Sequence, residues 1–474
     1  MFIDGDWREA QSGRRFNVSD PADGEIIGQV PDGGAADAAD AVEAAHNAFQ
    51  AWSMQTADKK ADFLDTAHRL MMENQEHLAQ TMSREMGKPI RASRNEVKYA
   101  ADFLRWFADE AKRVYGRTIP SARPDQRFLV LHQPVGVAAA ITPWNYPVSM
   151  ITRKAAPALA AGCTFVLKPA EATPLCAVET FKIFEQAGLP PGVVNLVTAE
   201  DPVPVGEVFI TDPRVRKITF TGSTEVGKMI AGRAADQMKR VSLELGGHAP
   251  FIVCPDADPV HAAKGLSLVK FLNTGQACIS PNRVYVHQDQ LAPFLDELKN
   301  RVSRLKAGSG RSGAGIGPLV DEHAIEKVAR QVQDAVEKGA DVITGGRRLT
   351  EDGMDKGNFY APTILSGVTP EMAIYREETF GPVAPVVPYD NEADLLAMAN
   401  DTHYGLAAYV YTRDLSTAMR YFEGLNFGII GINDINPTAA AAPFGGMKES
   451  GLGREGATEG IFEYLDTKCG GFAI

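Results

Sequence analysis

The sequence predicts a two-domain α/β protein, and three observations carry that prediction. Residues 34–114 are rich in Ala, Glu, Met and Leu at helical spacing. From residue 137 onward, short β-branched or apolar runs alternate with helical stretches, and a second block of this kind begins near residue 248. Such alternation is typical of parallel sheets covered by helices on both faces. The length of 474 residues is enough for two or three domains.

The first half of the chain predicts three long helices followed by five strands. The helices span 34–54, 58–86 and 92–114, and residues 127–142 are predicted to be extended around Pro134 and Gly136. The strands are Val137–Ile141, Thr164–Leu167, Val193–Val197, Lys217–Phe220 and Val241–Leu243, with helices fitting at 149–161, 174–188 and 225–236.

The second half repeats the pattern after a seam near 246–248. Its predicted strands are Phe251–Val253, Val284–Val286, Val342–Thr344, Pro385–Val387, Leu406–Tyr411 and Gly428–Ile432. Residues 436–456 are rich in Ala, Gly and Pro and predict a long loop. A final strand is predicted at Ile461–Asp466, which with residues 120–134 could form an arm that reaches another subunit.

Composition excludes several classes of partner and site. The net charge of −12 argues against nucleic acid or an anionic membrane. The five cysteines are widely spaced and include no CxxC pair, so we expect neither a disulfide framework nor a metal site. The N-terminus is polar from residue 4, unlike a signal peptide, and the longest apolar run, Ala155–Leu167, is too short to span a bilayer. These features favour a cytoplasmic protein.

Cys278 is the residue that points most directly to chemistry. It lies in Gly275-Gln-Ala-Cys-Ile-Ser-Pro281, among small and polar neighbours and without a second cysteine nearby. Upstream stands Glu244, beside two glycines at 246 and 247. A soft nucleophile and a possible base suggest covalent catalysis through a thioester. The alternative is that Cys278 is a small buried apolar residue and Glu244 a solvated carboxylate.

A cofactor site is suggested where a predicted strand runs into Gly222-Ser-Thr-Glu-Val-Gly227 and then into a helix. That arrangement brings backbone N–H groups to a pyrophosphate. Lys168 and Glu171 follow another strand and could reach ribose hydroxyls, where a carboxylate would repel the 2′-phosphate of NADP. The alternatives are an ordinary corner with Thr224 as the helix N-cap, and a surface Lys–Glu pair. Two GxGxxG matches, at 308–313 and 451–456, are rejected because neither follows a strand.

Asn145 lies in the stiff loop Thr142-Pro-Trp-Asn-Tyr-Pro147, which follows a predicted strand. A side-chain amide held rigidly at a strand end could donate a hydrogen bond to an oxyanion. The alternative is an asparagine that serves only the turn.

Seven motifs occur in the order found in the aldehyde dehydrogenase superfamily, which the chain resembles from end to end. They are Pro143-Trp-Asn-Tyr-Pro147, Lys168-Pro-Ala-Glu171, Phe220-Thr-Gly-Ser-Thr-Glu-Val-Gly227, Glu244-Leu-Gly-Gly247, Gly275-Gln-Ala-Cys278, Glu377-Glu-Thr-Phe-Gly-Pro382 and Pro443-Phe-Gly-Gly-Met-Lys-Glu-Ser-Gly451. Within the superfamily the chain is most similar to the succinate-semialdehyde dehydrogenase group, through Met150-Ile-Thr-Arg-Lys154 and Gly451-Leu-Gly-Arg-Glu-Gly456.

The resemblance implies three parts. A Rossmann-like cofactor domain would comprise 1–119 and 135–246, an α/β catalytic domain 247–440, and a small β oligomerisation arm 120–134 and 441–474. The arm would join residues 120–134 to the C-terminal strand of a partner, which implies a homodimer or homotetramer.

The resemblance also implies roles for individual residues in the oxidation of an aldehyde. Cys278 would attack the carbonyl, Asn145 and the Cys278 N–H would meet the oxyanion, Glu244 would activate water, and Lys154 would relay protons. The cofactor would be NAD, preferred because of Glu171, or NADP. Its implied contacts are Thr142, Trp144, Lys168, Glu171, Gly222, Ser223, Gly227, Leu245, Glu378 and Phe380. The implied substrate residues are Arg153, Tyr146, Leu272, Ala277, Ile279 and Phe444.

Leu272 departs from the succinate-semialdehyde dehydrogenase pattern, in which a second arginine assists Arg153 six residues before the nucleophile. Losing one charge-assisted hydrogen bond costs about 1.5–3 kcal/mol, a factor of roughly ten to a hundred or more in affinity. We therefore expect succinate semialdehyde or a related anionic aldehyde, such as a sulfonated one held by the 436–443 loop. The alternatives are a neutral aliphatic or aromatic aldehyde, an acylating enzyme, or a non-catalytic homologue.

Two further departures lie near the nucleophile. Ser280 stands where many members of the group carry a second cysteine, so we expect no disulfide to Cys278 after oxidation. His248 stands at a place often occupied by lysine, and the sequence offers no account of it.

Overall fold

The computed structural model describes every residue from Met1 to Ile474, and its N-terminal part contains four long helices rather than three. They span Ala35–Ser53, Ala57–Glu73, Gln75–Met86 and Ile90–Glu110. The single helix predicted at 58–86 is wrong, because Asn74 divides it. The Asn74 side-chain amide donates to the Leu70 carbonyl at 2.8 Å, and side chains that bond the backbone in this way compete with helical hydrogen bonds.

The first sheet has eight strands, of which the central five are parallel. Those five lie at the predicted positions: Val137–Ile141, Thr164–Lys168, Val194–Leu196, Val215–Thr221 and Arg240–Glu244. Antiparallel strands at Phe2–Ile3, Asp6–Trp7 and Gly451–Leu452 extend its edges. The connecting helices are Ser149–Ala161, Pro174–Gln186, Pro202–Thr211 and Thr224–Ala234.

The strand order of this sheet creates a crevice at the carboxyl ends of its central strands. Val137–Ile141 lies between Thr164–Lys168 on one side and Val215–Thr221 on the other. After Val137–Ile141, the next two strands of the chain are added on one side of it, and the following two are added on its other side. The connections that leave the sheet therefore run in opposite directions at this strand. Ligands of parallel α/β sheets bind at such a switch point.

The second sheet has seven strands and follows the seam. In spatial order they are Asp341–Thr344, Thr363–Ser366, Val383–Tyr389, Pro281–His287, Ala249–Val253, Ala407–Tyr411 and Ile429–Ile432, and only the first pair is antiparallel. All six predicted strands are present; the prediction missed Thr363–Ser366. The helices of this part are Pro259–Lys270, Gln288–Val302, Glu322–Glu337, Ala373–Arg376, Glu392–Asn400 and Leu415–Gly424.

The C-terminal prediction is wrong in its position and its partner. Residues Ala457–Phe462 form a helix, and the strand is Leu465–Ala473. It pairs antiparallel with Gln126–Pro134 of the same chain, not of a partner, and Arg117–Pro120 completes a three-stranded sheet. Most residues of the strand are exposed and two are glycines, so it lacks the apolar alternation by which a strand is found in a sequence.

The smaller elements complete the chain. Arg15–Ser19 and Ile26–Pro31 form a separate hairpin. Short 3₁₀ turns occupy Ala111–Arg113, Ala235–Gln237, Leu272–Gly275, Gly310–Ser312, Met354–Lys356 and Lys448–Ser450. The segment predicted as a loop at 436–456 therefore contains a turn and an edge strand.

Helix Ser149–Ala161 is buried along its whole length, between helix Ile90–Glu110 and the first sheet. Arg153 and Lys154 lie on it with 2% and 0% of their surface exposed. Buried charges are tolerated only with partners, so these two cations require a carboxylate nearby. No helix of the structure is both long enough and apolar enough to cross a membrane.

Candidate active site

Cys278 lies on a tightly constrained loop and faces a cavity of about 280 Å³. Asn273, Thr274 and Gly275 precede it with φ values of 50°, 58° and 77°, a left-handed run that is costly for the first two residues. Hydrogen bonds hold the run, including Thr274 Oγ1 to the Gly317 carbonyl at 3.1 Å. A Cβ on Gly275 would lie 2.1 Å from the Gly381 carbonyl oxygen, so only glycine fits there.

Glu244 ends the strand Arg240–Glu244 and is 4% exposed, so the alternative of a solvated carboxylate is wrong. Three residues later, the backbone of Gly247 packs against the backbone of Cys278. A Cβ on Gly247 would lie only 2.1 Å from the Cys278 carbonyl oxygen. Glu244 Oε2 has no hydrogen-bond partner. Burial, followed by repulsion from Glu455, raises the pKa of Glu244 well above its ordinary value.

Asn145 is joined to the Cys278 loop by both its side chain and its backbone. Its Nδ2 donates to the Gln276 carbonyl at 3.1 Å, which leaves the second N–H of the amide free. Its carbonyl accepts from Asn273 Nδ2 at 3.1 Å and from Lys88 Nζ at 2.8 Å. The backbone N–H of Cys278 makes no hydrogen bond to another residue. Two donors are therefore available next to the thiol.

Glu455 pairs with both Arg153 and Lys154 of the buried helix. It was not among the site residues predicted from the sequence. Lys154 Nζ contacts Glu455 and donates to Thr221 Oγ1 at 2.6 Å. Arg153 Nε lies 2.9 Å from Glu455 Oε2, and its guanidinium stacks on the Phe444 ring at 3.9 Å. Burial would raise the pKa of Glu455, but Lys154 and Arg153 outweigh it and the pKa lies below its usual value. Its segment, Gly451–Gly456, entered the sequence analysis only as a rejected GxGxxG match and as a motif of the resemblance.

The predicted cofactor residues meet at the switch-point crevice. Lys168 Nζ, almost fully buried, lies 2.9 Å from Glu171 Oε2, whose side chain is half exposed. The helix N-terminus at Thr224–Ala234 is capped by Ser223, which accepts from the Val226 N–H; the alternative of Thr224 as the cap is wrong. Glu378 Oε1 accepts from the Gly247 N–H at 2.9 Å.

The remaining predicted cofactor residues line the same region. The rings of Trp144 and Phe380 meet edge to face with centroids 5.6 Å apart. The Thr142 N–H donates to the Lys168 carbonyl at 3.2 Å. Gly227 packs on Leu245, where a Cβ would come within 2.3 Å of the leucine side chain. These contacts link the carboxyl ends of four neighbouring strands of the first sheet.

The cavity in front of Cys278 contains every predicted substrate residue. It is lined by Lys88, Ala92, Asn95, Glu96, Tyr99, Tyr146, Ser149, Met150, Arg153, Leu268, Val269, Leu272, Ala277, Cys278, Ile279, Ile435, Asn436, Thr438 and Phe444. Lys88, Glu96, Asn95 and Thr438 were not predicted. Lys88 and Glu96 are charged residues whose burial becomes evident only from the fold.

Comparison with known proteins decides the family. A model of the aldehyde dehydrogenase family matches residues 7–469. The chain belongs to the aldehyde dehydrogenase family. The resemblance inferred from the seven motifs is confirmed, and so is the α/β fold.

Relatives of this aldehyde dehydrogenase carry semialdehyde names. The chain is 48% identical to a glutarate-semialdehyde dehydrogenase of Pseudomonas aeruginosa, covering 98% of this chain and 96% of the relative. It is 49% identical to an NADP(+) succinate-semialdehyde dehydrogenase of Escherichia coli, with coverage of 98% and 96%. It is 47% identical to a 3-sulfolactaldehyde dehydrogenase of Pseudomonas putida, with coverage of 98% and 95%.

Solved structures of similar proteins superpose closely on this chain. An NADP-dependent enzyme of E. coli superposes with a TM-score of 0.98 at 47% identity, covering 100% of this chain and 98% of that one. A betaine aldehyde dehydrogenase of Staphylococcus aureus in complex with NAD⁺ gives 0.96 at 34% identity, with coverage of 100% and 94%. Members of the family use NAD or NADP, and this aldehyde dehydrogenase is an oxidoreductase.

The surroundings of Cys278 in this aldehyde dehydrogenase disfavour its thiolate. Loss of hydration, followed by repulsion from Glu378, raises its pKa to about 12, although Arg153 opposes the shift. Because only the thiolate is nucleophilic, a raised pKa lowers the reactivity of the thiol at neutral pH.

We expect alkylation of Cys278 by iodoacetamide to accelerate about tenfold per pH unit from about pH 7 to 9, since the thiolate fraction rises in that way below the pKa. Quantifying the alkylated Cys278 peptide by mass spectrometry checks this, with the exposed Cys469 as a control for reagent delivery. A rate that levels off below about pH 8 would contradict the account.

Proposed function

We propose that Cys278, Asn145 and Glu244 oxidise a semialdehyde-like substrate to its carboxylic acid through a thioester. The observation that carries the proposal is that three separate segments meet at the Cys278 loop: Cys278 lines the cavity, Asn145 is hydrogen-bonded to Gln276, and Gly247, three residues after buried Glu244, lies against the Cys278 carbonyl. The Cys278 thiolate adds to the aldehyde carbon and forms a C–S bond. The carbonyl oxygen becomes an oxyanion, which accepts from Asn145 Nδ2 and the Cys278 N–H.

The cofactor supplies one piece of chemistry, the acceptance of the hydride that leaves the substrate carbon. Buried Lys168, half-exposed Glu171 and the helix N-terminus at Gly222 and Ser223 fit the ribose and pyrophosphate of a dinucleotide. Glu378 and Phe380 extend this cradle toward the Cys278 side of the crevice.

Glu244 then acts on the thioester as a general base. It takes a proton from water, the hydroxide adds to the acyl carbon, and the C–S bond breaks to give the acid and the Cys278 thiolate, while the proton stays on Glu244. A carboxyl with a raised pKa is well suited to accept that proton. Lys154 and Glu455 lie beyond it, and we propose that they return the proton to solvent.

We expect the purified protein to reduce NAD or NADP with an aldehyde in the absence of coenzyme A. In Glu244→Gln, hydrolysis should slow by roughly 10²- to 10⁴-fold, the usual contribution of a general base, while the first turnover persists. Stopped-flow absorbance would then show a burst of one equivalent of reduced cofactor per active site. Glu423→Gln, an exposed carboxyl far from the cavity, should match the parent. An unchanged steady-state rate in Glu244→Gln would refute the role of this residue.

We propose NAD as the preferred cofactor. The Glu171 carboxylate lies beside Lys168 at a strand end, where it would accept from a ribose hydroxyl but repel a 2′-phosphate. The E. coli relative named for NADP(+) makes NADP the alternative.

Substituting Glu171 should change this preference. In Glu171→Ser we expect the ratio of kcat/KM for NADP to that for NAD to rise about tenfold or more, because a repulsion of about 1.4 kcal/mol is removed. Glu179→Ser, on the following helix, is the matched control. Equal ratios in the parent and Glu171→Ser would contradict the assignment.

An anionic aldehyde is the proposed substrate class, with glutarate and succinate semialdehydes and a sulfonated aldehyde as candidates. Arg153 Nη2 has no hydrogen-bond partner and Arg153 lines the cavity, so one donor remains for an anion. Asn436 and Thr438 add polar groups from the loop. The apolar lining, including the 44% exposed Leu272, favours a neutral aldehyde as the second candidate.

Leu272→Arg should raise kcat/KM for succinate semialdehyde by roughly ten- to a hundredfold, since a second charge-assisted bond becomes possible. A panel with propanal and benzaldehyde should show no such gain. Leu268→Arg is the matched control, because Leu268 also lines the cavity and is half exposed. An equal gain in both variants, or none in Leu272→Arg, would show that this account of the pocket is wrong.

We also propose that the protein forms a homodimer or homotetramer through the three-stranded sheet. One face of that sheet exposes Leu129, Leu131 and Phe472. Clustered apolar side chains on a small sheet are typical of a surface that is covered in the assembly.

A further inference from the structure

Lys88 and Glu96 form an ion pair in the cavity wall, and each side chain is only 1% exposed. Lys88 lies in the connection between helices Gln75–Met86 and Ile90–Glu110, and Glu96 lies in the second turn of the latter. The mechanism proposed above uses neither residue. A buried pair of this kind contributes little stability relative to apolar residues, because desolvation offsets the attraction. Its presence beside the nucleophile therefore calls for another explanation.

Both members of the pair bind the segment that contains Asn145. Lys88 Nζ donates to the Asn145 carbonyl at 2.8 Å and lies 3.8 Å above the centre of the Tyr146 ring. Glu96 Oε1 accepts from the N–H groups of Val148 and Ser149 at 3.1 and 3.2 Å. These N–H groups lie at the start of the buried helix, where a carboxylate is favoured.

The Asn145 carbonyl is the point at which these contacts meet the nucleophile loop. It accepts from Lys88 on one side and from Asn273 Nδ2 on the other. The Asn145 side chain then reaches Gln276, two residues before Cys278. With Lys88 removed, only the neutral amide of Asn273 would fix the peptide that orients the Asn145 side chain.

We propose that Lys88, neutralised by Glu96, is a positioning residue that acts through Asn145 to place the amide donor at the oxyanion. This inference rests on the proposed role of Asn145 as that donor. A displacement of about 1 Å at such a group can cost roughly a hundredfold in rate. The loss should fall on the step in which the oxyanion forms and not on substrate affinity.

A double-mutant cycle between Lys88→Met and Asn145→Ala tests the proposal. The readout is the burst rate constant of cofactor reduction with propanal, together with KM. We expect Lys88→Met to lower the burst rate by roughly ten- to a hundredfold and to leave KM within about twofold. In the Asn145→Ala background the same change should have less than about a twofold further effect, because its target is gone.

Two variants separate positioning from a general loss of structure. Lys88→Met combined with Glu96→Gln removes both charges and keeps an acceptor for the Val148 and Ser149 N–H groups; it should show the same burst defect and fold normally. Lys60→Met removes another buried lysine that donates to a backbone carbonyl, Ser53, remote from the cavity. Its burst rate should match the parent.

Independent effects, in which the two losses multiply in the double variant, would overturn the inference about Lys88 and leave the role of Asn145 intact. A parental burst rate in Lys88→Met combined with Glu96→Gln would overturn it as well. A parental burst rate in Asn145→Ala alone would instead refute the oxyanion role in the proposed function, and this inference with it.

Discussion

The contact between Gly247 and the carbonyl of Cys278 is the constraint on which the active site depends. The two backbones approach so closely that a Cβ on Gly247 would lie 2.1 Å from the carbonyl oxygen. Gly247 follows the last central strand of the first sheet and precedes the first strand of the second. This one contact holds the two sheets together at the seam and limits how far Glu244 can lie from Cys278. It also positions the Gly247 N–H, which donates to Glu378.

Charge pairing around the cavity explains why Glu244 is the carboxyl left to act as a base. Glu96 is paired with Lys88, and Glu455 is paired with both Lys154 and Arg153. Glu455 thereby stays ionised and repels Glu244, whose Oε2 has no hydrogen-bond partner. Burial without a partner and a neighbouring negative charge both favour the proton on Glu244. Because the ionised form of Glu244 is destabilised in this way, taking a proton from water is more favourable for it than for an ordinary carboxylate.

The sequence predicted the strands of both sheets well, because buried parallel strands are short apolar runs between glycines and prolines. It placed Asn145 and Gly222 in loops after strands and Lys168 at the carboxyl end of a strand, where the fold has them. It failed where the deciding fact is burial. Nothing local distinguishes Glu455 from an exposed loop glutamate; only packing against two cations does so.

Lys88 and Glu96 were missed for a similar reason. They lie eight positions apart, and a basic and an acidic residue at that spacing are ordinary on a solvated helix. The helix breaks at Asn74, whose side chain bonds the Leu70 carbonyl. The exposed C-terminal strand is held by its pairing with Gln126–Pro134 and not by a buried face. Neither leaves an apolar pattern to detect.

The central claim is that the substrate becomes covalently attached to Cys278 before water completes the reaction. Mass spectrometry of Glu244→Gln, quenched in acid after mixing with cofactor and an aldehyde, tests this most directly. We expect one acyl group per chain on the peptide that contains Cys278, with a mass two hydrogens below that of the adduct of the thiol and the intact aldehyde. Unmodified Cys278 alongside a full equivalent of reduced cofactor and free acid would contradict it.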